Sequence, residues 1–227
     1  MPTTRVRAGV VSEFLVPARL ASMGPELRDE AQVPDGWRGH LVPNLGDWAV
    51  GDVVLVAGDG SKPAAAITGV QATTGGLGAR SYARFTHAAL YVGRGMLVDA
   101  TLEDGVACRS LWSYVYSREL TLRRLPARSL TVGEVASIAS IAQDHVGSPY
   151  SLSEAVRSAL MPATVPNVRR LYCSTFVGLV IARATGVLLW ERREHRPLHP
   201  AVLAGHPDLQ VVHVEWRRPA SAGDRRA

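Results

Sequence analysis

Thr86-His87-Ala88-Ala89-Leu90-Tyr91-Val92-Gly93-Arg94-Gly95-Met96-Leu97-Val98-Asp99-Ala100 reads as two strands folded about a glycine-bounded turn. A three-residue loop, Gly93-Arg94-Gly95, would pair Val92 with Met96 and Ala89 with Asp99. His87 then shares a sheet face with Ala89 and stands diagonal to Asp99, within reach of a long side chain. A loop of two or four residues would instead turn Asp99 to the other face, so the reading hangs on the turn. An imidazole beside a carboxylate is a proton acceptor with an orienting partner, the two groups a thiol or hydroxyl nucleophile needs.

A thiol is available further along, in Leu171-Tyr172-Cys173-Ser174-Thr175-Phe176-Val177-Gly178-Leu179-Val180-Ile181. Phe176, Val177, Val180 and Ile181 repeat at helical spacing and predict a helix over 173–185 that ends at Gly186. A thiol on the first turn of such a helix meets open backbone N–H groups, which favour the thiolate and can bind a developing oxyanion. Free cysteine is also a common small hydrophobe in cores, and these residues alone leave both readings open.

Composition narrows the class. With 227 residues, 47% of them hydrophobic, the chain can bury a substantial core. No run of about 18 apolar residues offers a spanning helix. Arg5 and Arg7 precede an apolar run that Ser12 and Glu13 interrupt, so no cleavable signal is expected. That leaves the cytoplasm, or export by a route without a signal. Cys108 and Cys173 make no disulfide framework. Three of the five net positive charges fall after residue 216, and 24 of the 25 basic residues are arginine. Without a basic stripe carrying interleaved aromatics, nucleic acid is not an expected partner, whereas contact with an anionic membrane surface is compatible with the charge.

Organisation follows from the punctuation. Residues 1–45 are expected to cap the core, 46–216 to form the main domain, and 217–227 to be a basic flexible tail. Val53–Val56 reads as a buried strand, 58–84 as a long Gly-, Ala-, Thr- and Ser-rich loop, and Gly105–Arg109 and Leu120–Leu125 as strands. A short helix or turn is expected over 110–117. Thr131 and Glu134 form a capping box opening a helix that Gly147-Ser148-Pro149-Tyr150 stops. Residues 151–170 read as an insertion, and Val211–Trp216 as a last strand. Cys108 is expected in the core. The histidines at 195, 199, 206 and 213 lack a metal-ligand spacing, so no metal or other cofactor is expected.

The block His87-x-x-x-Tyr91-x-Gly93-x-Gly95-x-x-x-Asp99-Ala100 resembles the histidine hairpin of the NlpC-type papain-like superfamily. Gly51-Asp52-Val53-Val54-Leu55-Val56, Gly147-Ser148-Pro149-Tyr150 and Tyr172-Cys173-Ser174 are similar to other blocks of that superfamily. The cysteine helix follows the hairpin here, which resembles the circularly permuted YiiX/YebB-like branch and, more distantly, relatives of lecithin:retinol acyltransferase. The resemblance spans about residues 46–216. It implies an α+β, circularly permuted papain-like fold in which an antiparallel sheet packs against the nucleophile's helix. It also implies Cys173 as nucleophile, His87 as general base and acid, Asp99 as orienter, and Tyr150 and Tyr172 as substrate-contacting positions. The implied activity is a cysteine hydrolase or acyltransferase acting through a thioester. The implied substrates are lipid acyl esters, as in permuted relatives, or cell-wall peptides, as in unpermuted ones. The apolar segments at 10–23 and 155–165 would suit a lipid. A non-catalytic binding module on the same scaffold is the alternative of another class. A secreted antibacterial toxin, with an immunity protein as partner, is a compatible role.

Overall fold

A computed structural model of the chain describes residues 42–74, 80–115, 118–125, 130–151, 171–189, 198–213 and 216–217. The architecture is mixed α+β. Strand β1 (Val42–Pro43) precedes β2 (Val53–Ala57), helix α1 (Lys62–Thr74), β3 (Phe85–Gly93), β4 (Met96–Thr101) and β5 (Gly105–Ser110). Then come α2 (Trp112–Val115), β6 (Leu120–Arg124), α3 (Val132–Asp144), α4 (Cys173–Thr185), α5 (Pro200–Ala204), β7 (Gln210–Val212) and β8 (Trp216–Arg217). Six strands form an antiparallel sheet in the order β5-β4-β3-β2-β6-β7, and β1 pairs with β8 as a separate ribbon.

The sheet has a core on each face, which is why β2 is apolar at every position and wholly buried. Val53, Leu55, Ala88, Leu90, Val98 and Ala100 pack with Ile138 of α3, Phe176 and Val180 of α4 and Leu203 of α5. Val54, Val56, Ala89, Tyr91 and Leu97 pack with Leu45, Trp48, Leu111 and Trp112. Burying each large aliphatic or aromatic side chain contributes about 1.5–3 kcal/mol before entropy is subtracted.

Thr131 and Glu134 form the reciprocal capping box their spacing announces, with the Thr131 Oγ1 accepting from Glu134 N–H at 3.2 Å. Helix α4 begins at Cys173 and ends at Gly186, whose φ of 74° only glycine adopts cheaply. The Gly51-Asp52 pair is a structural device. Gly51 has φ 95°, and a Cβ there would lie 2.9 Å from Ile138 Cδ1, so the position demands glycine. Asp52 is buried and receives both Arg124 Nε (2.5 Å) and Arg124 Nη2 (2.6 Å), locking the start of β2 to the end of β6.

Several expectations are corrected. Residues 58–84 are not one long loop, since α1 occupies Lys62–Thr74. Ser61 starts it, with its Oγ 3.4 Å from Ala64 N–H, and alanine-rich sequence sustains it. Its buried side is made of small residues and Gln71, so no large apolar period announces it. The last strand is two, Gln210–Val212 in the main sheet and Trp216–Arg217 in the ribbon. Cys108 lies on a strand as expected but is exposed, because β5 is an edge of the sheet. Most of the expected cap at 1–45, most of the insertion at 151–170 and most of the tail at 217–227 lie outside the described residues, as do the apolar segments at 10–23 and 155–165.

Gln71 ties three elements together. It is fully buried, its Nε2 donates to the carbonyls of Ala83 (3.1 Å) and Phe85 (3.0 Å), and its Oε1 accepts from Ala201 N–H (2.9 Å). Replacing it with leucine orphans those three backbone groups. Gln71→Leu is therefore expected to lower stability by on the order of 3 kcal/mol in urea unfolding, and a loss under about 1 kcal/mol would contradict this role.

Candidate functional site

The β3–β4 hairpin carries two of the site residues. Its register pairs Ala89 with Asp99, Leu90 with Val98 and Tyr91 with Leu97, as the sequence reading requires. The turn itself differs. Arg94 and Gly95 form a two-residue loop with φ of 54° and 69°, both positive as a type I′ hairpin turn needs. Met96 then pairs with Gly93, and a bulge at Val92 absorbs one residue. The short loop and the bulge offset each other, so Asp99 keeps the face that a three-residue loop would have given it. His87 pairs with Val56 of β2, which places it on that same face beside Ala89.

Here His87 Nε2 lies 2.7 Å from Asp99 Oδ2. Two further side chains converge on the same carboxylate. Tyr114 of α2 donates its hydroxyl to Asp99 Oδ2, and that hydroxyl is 3.1 Å from His87 Nε2. Arg109 of β5 donates from Nε to Asp99 Oδ1 at 2.6 Å. The Asp99 side chain has no exposed surface. Burial alone would raise its pKa, but the bond to His87, the charges of His87 and Arg109 and the bond from Tyr114 hold it below the ordinary value. Tyr114 is pushed the other way, chiefly by burial and then by the Asp99 charge, so its hydroxyl stays protonated and able to donate.

Cys173 is the first residue of α4, following Tyr172 in an extended conformation. Thr175 Oγ1 accepts from Tyr172 N–H at 3.0 Å and donates to the Tyr172 carbonyl at 2.9 Å, fixing the entry into the helix. The first turn of α4 places its backbone amides beside the thiol. Ser174 is buried and donates to the Leu198 carbonyl, anchoring that turn to the segment before α5. The thiol lies against the His87 imidazole. Burial lowers the imidazole pKa, but the bonds to Asp99 and Cys173 and the charges of both raise it, and the outcome is a His87 pushed up to about 10. With Nε2 facing Asp99, Nδ1 is the nitrogen left for the thiol.

Cys173, His87 and Asp99 are thus brought together. Tyr150 joins them: its hydroxyl is pushed up by burial and then by the Cys173 charge, and its backbone bridges to Leu171 just before the helix. Tyr172 is buried at the helix start. Tyr114 and Arg109 were not singled out from the sequence. Arg109 was within reach of the same hairpin argument, because Thr101 pairs with Gly105 and Asp99 with Ala107, leaving Arg109 diagonal to Asp99. Tyr114 follows a strand end on a four-residue helix, where no periodicity marks it.

Among the described residues, no three His, Cys, Asp or Glu side chains cluster to hold a metal ion. The nearest approach to a donor set fits poorly, since the Asp99 oxygens are already taken by three donors, one of them a guanidinium. His199 and His206 are buried just before and just after α5, and His213 is exposed. His195 lies outside the described residues. No described helix is long and apolar enough to cross a membrane.

The fold defines a class: a six-stranded antiparallel sheet packed against the helix that begins with Cys173, consistent with a YiiX-like papain-like fold. The solved structure of the metalloprotein YiiX from Escherichia coli O157:H7, a DUF1105 protein, is similar to this chain with a TM-score of 0.53 and 19% identity. The match covers 74% of this chain and 98% of that one. No protein-family model matches the chain, and no curated protein does.

The raised His87 has a consequence for stability. The cationic imidazole is favoured in the folded state, so its contribution is fully present below pH 6.5 and is lost as pH rises through about 10. The melting temperature is expected to fall across that window, and His87→Gln is expected to flatten this part of the profile. An unchanged slope in the variant would contradict the pairing.

Proposed function

We propose that this chain is a cysteine hydrolase or acyltransferase of the circularly permuted NlpC-type papain-like kind. The observation that carries the reading is the alignment of Asp99 Oδ2, His87 Nε2 at 2.7 Å and the Cys173 thiol at the first turn of α4. On this reading the Cys173 sulfur, its proton held by His87, attacks an acyl carbonyl carbon. The carbonyl oxygen becomes an oxyanion that first-turn amides of α4 stabilise. Collapse expels the alcohol or amine, which takes the proton from His87, and leaves a thioester on Cys173. His87 then removes a proton from water or an acceptor alcohol or amine as that oxygen or nitrogen attacks the thioester, and the sulfur leaves. Asp99 orients the imidazole throughout.

A lipid acyl ester is the proposed substrate. It follows from the resemblance to permuted relatives, in which the hairpin precedes the cysteine helix, as it does here. The pairing of β1 with β8 supports the permuted reading, because it brings residues 42–43 beside 216–217 and so joins the two ends of the main domain. Tyr150, close enough to feel a Cys173 charge, and Tyr172, at the helix start, are the proposed substrate-contacting groups.

Two measurements test the proposal. At neutral pH iodoacetamide should alkylate Cys173 faster than the exposed Cys108, and equal or slower reaction would overturn the activated thiol. Purified protein should release fatty acid or transfer an acyl group from bacterial phospholipid, followed by mass spectrometry. Cys173→Ala and His87→Ala should each lower that rate by roughly a thousandfold or more. Turnover of peptidoglycan peptides instead would replace the lipid reading with cell-wall amide cleavage. Turnover of neither by folded protein would leave a binding module.

A further inference from the structure

The proposed mechanism asks His87 for two opposed acts: to take a proton from the thiol and to give one to the leaving group. An imidazolium pressed against an isolated buried carboxylate would give its proton up reluctantly. Asp99 is not isolated. Its Oδ2 is shared between His87 and Tyr114, and its Oδ1 is held by Arg109. Arg109 is itself divided, donating also to Thr101 Oγ1 (3.2 Å) and to Asp104 Oδ2 (3.2 Å) on the β4–β5 turn. Asp104 is more than half exposed, so the Arg109 side chain runs from a buried carboxylate to a solvated one.

We infer that Arg109 and Tyr114 are positioning residues that fix Asp99 in one rotamer and draw off part of its negative charge, setting how readily His87 returns its proton. The inference rests on the proposed acyl-transfer reading for its purpose, but the geometry it uses does not. Three donors on one carboxylate compete for the same electron density, so removing any one strengthens the remaining bonds. The groups that face His87 and Asp99 are Cys173 from α4, Tyr114 from α2 and Arg109 from β5, while Cys108 of β5 pairs with Val98 on the other face of the sheet and the neighbouring β2 contributes the apolar Val56. Tyr150 feels the Cys173 charge, and Asp104 accepts from Arg109, one step removed.

The sign of the effect is fixed by this arrangement. Tyr114→Phe leaves His87 as the sole donor to Oδ2, and Arg109→Met removes the cation that competes with the imidazolium. In both variants His87 should keep its proton to higher pH, by roughly one unit for a charge of this proximity. Arg109→Lys restores a cation and should return the midpoint toward the unmodified protein. A residue that merely packs would lower the melting temperature without moving the His87 midpoint.

The experiment is a pH titration of the full chain labelled with 15N-histidine, following the His87 imidazole nitrogens in two-dimensional NMR. His87→Gln identifies the signal, and circular dichroism at each pH confirms folding. An upward shift in Tyr114→Phe and Arg109→Met, reversed in Arg109→Lys, supports the inference. An unmoved or lowered midpoint in folded Tyr114→Phe overturns it, and that conservative variant decides the matter if Arg109→Met fails to fold. Iodoacetamide labelling of Cys173 in parallel separates the two ideas. Slow labelling with a shifted His87 midpoint sinks the hydrolase reading and spares the Asp99 arrangement, and fast labelling with a static midpoint does the reverse.

Discussion

A carboxylate with no exposed surface, as Asp99 is, would cost several kcal/mol if left without partners. The site is built around meeting that cost. Three donors reach Asp99 from three elements: His87 from β3, Tyr114 from α2 and Arg109 from β5. Each arrives because a register or a helix start delivers it, so satisfying one buried charge fixes the relative placement of four elements. His87 is then held by its Nε2 and can point its other nitrogen only where the backbone of β3 aims it.

Placing the thiol is a separate problem, solved from the opposite direction. Helix α4 is buried along most of its length against Ala88, Leu90, Val98 and Ile138, which sets its axis. Its first turn is pinned by Ser174 to the Leu198 carbonyl and by Thr175 to the Tyr172 backbone. A helix anchored this firmly cannot slide or rotate to accommodate its first side chain, so Cys173 stands where the anchors put it. On the proposed reading, the same rigidity keeps the first-turn amides at a fixed offset from the sulfur, as stabilising a transient oxyanion demands.

The legible parts of this design were those governed by a period or a cap. The alternation in β3 and β4 gave the shared face of His87 and Asp99, the Thr131–Glu134 box gave the start of α3, and the apolar stripe with Gly186 gave α4. What escaped did so for physical reasons. Helix α1 buries one alanine, Ala64, and a glutamine, so its hydrophobic period is too shallow to read. The turn at Arg94-Gly95 and the bulge at Val92 are coupled departures that cancel, and no local signal separates them from a plain three-residue loop. Tyr114 belongs to a helix too short to carry a pattern, and its meaning appears only once β5 has delivered Arg109 to the same carboxylate.

This division bears on the order of the blocks along the chain. His87 and Asp99 are fixed by hairpin register, which is local, whereas Cys173 is fixed by packing, which does not depend on the direction from which the chain arrives. Register forbids moving His87 relative to Asp99 by even one residue without a compensating bulge. Packing imposes no such rule on α4, which can precede or follow the hairpin provided its anchors are met. The pairing of residues 42–43 with 216–217 keeps the two ends of the domain together whichever element comes first. On the proposed reading, a permuted order is the kind of change this site tolerates, while a slip in the histidine hairpin is the kind it does not.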